Sequence, residues 1–553
     1  MKTRIIAILT LCSAAFVSCS DFLDYDEVSQ YEESQIFSNF GRTQQFVTNI
    51  YSYLRSDFCS VDGAMRASAC DEAVHVWDNS SIHTFTNGTW GPRNTVDDVW
   101  GHYYSGIRAA NFYLERGTGK LFEEYMYMDG YATQMRKYRN YEYEVKFLRA
   151  FFHFELIKRY GGVPIVDRMI NSDNEANSMS RNSFHDCVDF IVDECDSVAK
   201  YLPISYDVNY DSETGRVPRA AAYALKSRVL LYAASELHNP KGNENYEKRW
   251  ERAALAAQEV MDLAGEFKIK TLSLYELIPN NLNCQEVIWE RREGKQGNFE
   301  SKNYPIGFEG GNTGTCPTQN LVDAYGMKSG SYNPQDPYNK NRDPRLNHTI
   351  AVNNSAWVYG DKLECWEGGN SGYPKVGASP TGYYLKKYIN KNVDFRPGGS
   401  TAFFHSWVLF RYGEILLNYA EAVNEVVGPN VKNSTFKKTA IETLNLIRRR
   451  TLILMPNIPS STSDADKFRE LVRNERFVEL AFEDHRFWDI RRWKIGPQTT
   501  EIKGMQIIKD ENGSFEYTPR VIENRVWDDK YYLYPISQSE RSKNPNLEQN
   551  PGW

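Results

Sequence analysis

Apolar residues recur at helical spacing through much of the chain. Over 143–160, Phe147, Ala150, Phe151, Phe154 and Ile157 fall at i, i+3/i+4 and i+7, one face of a helix. Gly161, Gly162 and Pro164 then stop it. Comparable patterns predict helices over 97–115, 184–201, 217–236, 246–263, 412–426, 435–450 and 464–482. Short turns between those of the first half imply antiparallel pairs, the arrangement of TPR-like solenoids, although the consensus letters of that repeat are missing. Val287 to Glu290 reads as a strand, and Trp289 in it, like Trp100 in its helical pattern, is expected in the core. Between about 280 and 400 glycine, asparagine, proline and aromatics crowd together, as over 302–314 and 366–374. Long irregular stretches in a compact protein are usually functional loops or disorder. The many aromatics argue against disorder.

The amino terminus carries a different pattern. Lys2 and Arg4 precede a short apolar run over 5–17, and small Ser18 precedes Cys19 and an acidic stretch. Such a run is too short to span a bilayer, so 1–18 reads as an export signal. A cysteine directly after the cut implies that its thiol takes a lipid, leaving 19–553 anchored to a membrane and not threaded through it. Nothing after Cys19 approaches the roughly 18 unbroken apolar residues of a spanning helix, and the mean hydropathy is -0.59. A length prior of about 150 residues per domain would allow several domains. No linker or charge block divides the chain, which reads as a single body.

The net charge of -7 is spread as interspersed acids and bases. With no basic stripe to displace counterions, nucleic acid is excluded as a partner. Seven cysteines follow Cys19, an odd number with no C-x-x-C pair. Cys187 and Cys195 would sit about 12 Å apart along one helix, too far to bridge. These residues read as small buried hydrophobes, and no cofactor or metal is implied.

Eight segments together carry a family resemblance: CSDFLD at 19–24, KFLRAFFHFELIKRYGGVPIV at 146–166, PTQNLVDAY at 317–325, NRDPRL at 341–346, TGYYLKKY at 381–388, FRYGEILLNYAEA at 410–422, RNERFVELAFEDHRFWDIRRW at 473–493 and YPI at 534–536. In this order they resemble the SusD/RagB family of surface lipoproteins of Bacteroidetes. The resemblance implies a mostly α single-body fold. TPR-like helix pairs, roughly 40–265 and 410–495, would cradle an irregular loop-rich half, roughly 60–95 and 280–400, that carries the ligand site. It further implies an outer-membrane location facing the exterior, a SusC-like TonB-dependent transporter as partner, and delivery of oligosaccharide or polysaccharide to it. Some RagB-like members handle peptides instead. Catalysis is not part of the family's role.

Three constellations could carry chemistry. Glu475, Glu479 and Glu483 at i, i+4, i+8 would stack on one helical face, and paired carboxylates can run glycoside hydrolysis. Arg473, Arg476, Arg486, Arg491 and Arg492 surround them, so the expectation is a neutralised structural network. His75 and His83, with Asp71, Glu72 and Asp78 nearby, read as hydrogen-bonded loop histidines, there being no H-E-x-x-H. The third is aromatic. Sugar rings stack their C–H faces on indole or phenol planes while their hydroxyls need polar edges. Local composition therefore selects Trp77 with Asp71, Glu72 and Asn79, Trp90 with Arg93, and Trp357, Tyr359 and Trp366 from the later loops.

Overall fold

The computed structural model describes residues 33–206, 213–267, 270 and 284–553. Cys19 and the export signal lie outside the described residues. Helix outweighs strand, 42% against 11%, as the apolar periodicity implied. Nine helices of nine residues or more stand among the described residues: α1 Phe40–Tyr51, α2 Trp100–Arg116, α3 Tyr131–Tyr160, α4 Phe184–Ala199, α5 Arg219–Ala234, α6 Tyr246–Leu263, α7 Tyr412–Val427, α8 Ala440–Arg448 and α9 Ala465–Glu479. From α2 to α7 each helix packs on the next, and α7 also receives α8 and α9. The segment between α6 and α7 leaves this ladder and builds the irregular half.

Local chemistry sets the helix ends. Gly161 at φ +71 ends α3, and a β-carbon on Gly162 would lie 2.1 Å from the carbonyl of Asn182, so only glycine lets the strap behind the helix approach this closely. Capping boxes at Ser183/Asp186 and Thr439/Glu442 start α4 and α8. The Thr439 box explains why α8 begins five residues after the apolar pattern does. Asp97, expected inside α2, instead adopts φ +52 ahead of it. Its carboxylate accepts from Arg55 at 2.8 Å and pairs with Arg66 at 3.1 Å and Arg159 at 3.4 Å. Those guanidiniums hold its pKa well below the usual carboxylate range against the opposing effect of burial.

The strands form four two-stranded antiparallel ribbons, each joining distant parts of the chain or closing a hairpin. β1 (Ala73–His75) pairs with β3 (Thr315–Pro317), and β2 (Val287–Gln296) with β6 (Phe403–Arg411). β4 (Ile350–Ala351) pairs with β5 (Tyr384–Leu385), and β7 (Glu501–Lys509) with β8 (Phe515–Asn524). The β2–β6 ribbon lies on α3: Trp289 meets Phe147 and Phe151 edge-on at 5.2 and 5.3 Å, and Phe410 lies 6.2 Å from Phe151. One apolar core thus runs from the helical scaffold into the loop half. Trp289 and Trp100 are both buried in it, as the pattern required. The seven described cysteines are free and buried.

Candidate functional site

The β1–β3 ribbon positions the first site residue. After His75 pairs with Thr315, Val76 N–H donates to the Gly314 carbonyl at 2.9 Å and the chain leaves the ladder. Trp77, next in line, is half-buried, and its indole N–H donates to the Asn312 carbonyl at 2.8 Å. Its six-membered ring covers Gly377, where a β-carbon would come within 2.9 Å of Cη2. The Trp77 carbonyl sits 3.0 Å from Nε2 of His83, which closes the loop behind it. His83 is hydrogen-bonded as expected, within a 3-10 turn over Ser81–Phe85, whereas His75 departs from the expectation: the strand pairing takes it out of any loop and leaves its Nδ1 buried without a hydrogen-bond partner among the described residues. Burial lowers the pKa of neighbouring His75 to about 4, leaving that ring neutral.

The turn over 304–314 also touches the segments that hold the other chosen aromatics. Gly310 abuts the ring of Phe395, whose backbone N–H donates to the Tyr359 hydroxyl at 3.2 Å. The guanidinium of Arg396 lies 3.8 Å from the Tyr359 ring centre and is itself paired with Asp394 at 2.7 Å. Thr313 Oγ1 donates to the Gly377 carbonyl at 2.5 Å, and Gly307 approaches the Asn370 carbonyl too closely for any side chain. The loop over 366–378 is thereby held beside Trp77. Trp366 starts that loop half-buried, with the Lys509 ammonium 4.7 Å above its ring. Further along, Tyr373 and Val376 project with 66% and 82% of their surface exposed. Residue choice from sequence passed over Tyr373, although the Gly372-Tyr373-Pro374 step inside an aromatic, glycine-rich loop was the available signal.

Several sequence-chosen residues fall elsewhere. Trp90 is only 3% exposed, walled by Phe85, Tyr531, Tyr534 and Trp553 at 4.8 to 5.6 Å, so no ring face is free for a ligand. Trp357 is 5% exposed, edge-on to Tyr304 at 5.9 Å and Phe308 at 6.4 Å, and serves as a local core beneath the loops. Asp71 takes a bidentate contact from Arg486 at 2.7 and 2.8 Å, which joins the early loop to the scaffold. Glu72 is buried and accepts from the Phe482 N–H at 2.7 Å; burial raises its pKa to about 8. Arg93 is exposed, but the preceding Pro92 carbonyl accepts from Gln538 N–H, which places it beside the C-terminal segment. Asn79 remains exposed two residues beyond Trp77. Trp77, Tyr359 and Trp366 are the chosen aromatics left with ring surface to offer.

The acidic ladder is neutralised, with partners other than those its neighbourhood suggested. α9 ends at Glu479, and Phe482 and Asp484 take positive φ, so Glu483 is reached around a turn. Arg345 contacts Glu475 and Glu479 at 2.7 and 2.8 Å. Arg411, at the end of β6, contacts Glu479 and Glu483 at 2.8 and 2.6 Å, and Arg450 adds 2.6 Å to Glu479. Lys387 completes Glu483 at 2.6 Å. Three guanidiniums hold the Glu479 carboxyl well below the ordinary range despite its burial. Of the arginines near the ladder in sequence, Arg476 and Arg492 pair with Asp489, and Arg486 with Asp71. Held by three guanidiniums, Glu479 stays ionised near neutral pH and has no proton to give.

Comparison with known proteins agrees with this architecture. A model described as SusD family matches residues 285–553, and one described as starch-binding associating with outer membrane matches residues 21–231. A solved SusD-like protein from Bacteroides fragilis superposes with a TM-score of 0.77 at 28% identity, covering 95% of this chain and 99% of its own. A SusD-like carbohydrate binding protein from the same species gives a TM-score of 0.72 at 22% identity, covering 93% and 100%. Among curated proteins, SusD-like protein P25 of Formosa agariphila is 22% identical over 536 residues, 90% of each chain.

Proposed function

Because this chain belongs to the SusD family, whose two models together span most of it, we propose that it is a cell-surface glycan-binding lipoprotein. It captures oligosaccharide or polysaccharide on the Trp77 surface and passes it to a TonB-dependent outer-membrane transporter of the SusC type. Cys19 carries the lipid that holds it to the outer membrane. The outer-membrane association in the family description and the carbohydrate-binding relative both support this reading. No helix among the described residues is long and apolar enough to cross a membrane.

The observation that carries the proposal is the presentation of Trp77. Its ring is fixed by the Asn312 carbonyl and by contact with Gly377, yet stays half-buried among loops that also hold Tyr359, Trp366 and exposed Tyr373. A ring immobilised before binding loses little entropy when a sugar stacks on it. Polar groups for hydroxyls stand in Asn79, two residues beyond Trp77, and in the Asp394–Arg396 pair beside Tyr359. The protein acts by binding; its best candidate carboxylates are spent on the internal network.

The test is a panel of plant, microbial and host polysaccharides titrated against the mature chain and its Trp77→Ala variant, with reducing ends assayed in the same samples. Tight binding of one polymer class, weakened by the substitution and without new reducing ends, is expected. Binding indifferent to Trp77, or release of reducing ends, would overturn the assignment. Extraction in mild detergent is expected to recover a much larger β-barrel protein with this one, and recovery of the free monomer alone would remove the transporter from the proposal.

A further inference from the structure

A cleft of about 440 Å³ opens between α2, the strap over 164–179 and the C-terminal segment over 540–547. It shares no residue with the Trp77 surface. Its volume falls within the roughly 300–1,000 Å³ of small-ligand pockets. Trp100, Tyr104 and Arg108 line its floor at i, i+4, i+8 of α2, which puts them on one helical face. The Tyr104 hydroxyl donates to the Pro164 carbonyl at 2.8 Å, fixing that ring against the strap, with Trp100 packed beside it at 5.1 Å. Trp100 is 7% exposed, so half-buried Tyr104 is the ring that faces the cleft.

Counting Glu175, the partner of lining Arg168, the charges at the cleft balance. Arg168 pairs with Glu175 at 2.6 Å and Lys543 with Glu540 at 2.8 Å. That leaves Arg108 and Asp173, of opposite sign, whose side chains make no ion pair among the described residues, together with the exposed amide of Asn177. A charge-balanced cleft has no electrostatic reason to select an anion or a cation. An aromatic floor edged by a guanidinium, a carboxylate and an amide supplies a stacking face and both donors and acceptors for hydroxyls. We propose that this cleft is a second saccharide site, which takes a short neutral oligosaccharide segment with a ring on Tyr104 and hydroxyls on Arg108 and Asp173. The proposal rests on the reading of the protein as a glycan binder and adds a second point of capture. Two sites on one body would hold a polymer longer than either alone, provided the chain spans both.

The probes are maltotriose and laminaritriose, each soaked into crystals of the mature chain and titrated by calorimetry. Sugar density against Tyr104, with Arg108 and Asp173 in hydrogen-bond range, is expected. In solution, Ser105→Trp, an exposed α2 position at the cleft, is expected to lower the stoichiometry from two to one, and Arg108→Ala to weaken the same site at least tenfold. Unchanged melting of both variants will show that the fold is kept. An empty cleft beside an occupied Trp77 surface would overturn this proposal and leave the main reading standing. Sugar in the cleft with none at Trp77 would support it and remove the Trp77 assignment. Density in the crystal with one-site stoichiometry in solution would mean binding at crystal concentration only, and would overturn it. Both surfaces empty with both sugars would overturn the two together.

Discussion

Trp77 and Gly377 are in direct contact across 300 positions of sequence: the indole covers the glycine so closely that a β-carbon would lie 2.9 Å from Cη2 and 3.1 Å from Cζ2. Gly377 also holds φ +79, a conformation costly to other residues. Gly377→Ala is therefore expected to displace the Trp77 ring without removing it. Loss of a stacked ring costs roughly 1 to 3 kcal/mol, taking base-on-aromatic stacking as the guide, or about tenfold or more in affinity. Trp77→Ala should show that full loss and Gly377→Ala a part of it, in titrations against whichever panel glycan binds. Equal binding by parent and both variants would place the stacking ring elsewhere.

Trp90 answers the opposite test. Its ring is walled by four aromatics, and replacing such a buried ring by alanine costs roughly 3 to 5 kcal/mol. Trp90→Ala is expected to lower the denaturation midpoint markedly and, where the protein remains folded, to leave glycan affinity unchanged. Trp77→Ala should do the reverse. A Trp90 variant that melts like the parent and binds more weakly would return that residue to the ligand surface.

The contrast between these two tryptophans shows how far the sequence could be read. Helices were legible because their apolar period is local: 246–263 matches α6, and 412–426 ends one residue short of α7. α3 begins at Tyr131, twelve residues before the apolar stripe becomes regular, because its first turns are polar and tyrosine-rich. The β7–β8 hairpin and β6 left no reading, since each depends on a partner for its ladder. Trp90 sits in a polar Thr-Trp-Gly-Pro-Arg stretch that looks like a binding loop. Its walls come largely from 531–553, information that no local window contains. The neutralisation of the acidic ladder followed from the cost of burying charge, whereas its partners Arg345, Arg411 and Arg450 arrive from other segments. Asp71 likewise finds Arg486 415 positions away.

Arg411 makes the sharpest stability prediction. It touches Glu286, Glu479 and Glu483 at once, all buried. Removing one member of a buried ionic network leaves uncompensated charge and costs roughly 3 to 5 kcal/mol. Arg411→Met is expected to lower the unfolding free energy read from chemical denaturation by that order, and the midpoint with it. The exposed Lys467–Asp464 pair at 3.7 Å gives the control, and Lys467→Ala should leave the midpoint where it is. Similar midpoints for the two variants would mean that the network is not the internal brace described above.

On the proposed reading anchoring depends on Cys19, which follows small Ser18 and precedes Asp21. Cys19→Ala is expected to release the protein from the membrane fraction or to leave the signal over 1–18 uncut. Fractionation with a mass measurement of the amino terminus separates the two. Full membrane retention with correct processing would show that the protein is held by something other than this thiol.

Glu72 supplies a pH dependence whose sign follows from its burial. Enclosure raises its carboxyl from 4.5 to about 8, a rise opposed by the Phe482 N–H and driven further by the Asp71 charge. In the unfolded chain the proton leaves near the ordinary value, while the folded protein keeps it to about pH 8. The neutral carboxyl therefore contributes its full stability below about pH 4.5 and loses it progressively as pH rises towards 8. Glu72→Gln places a group of the same shape there that never ionises. The variant's melting temperature, relative to the parent's, is expected to rise from pH 5 to pH 8 and to level off above. Asp57, raised by burial to about 7, adds a similar slope to both proteins and cancels in the difference. A difference constant across this range would show that Glu72 is ionised in the fold already at pH 5.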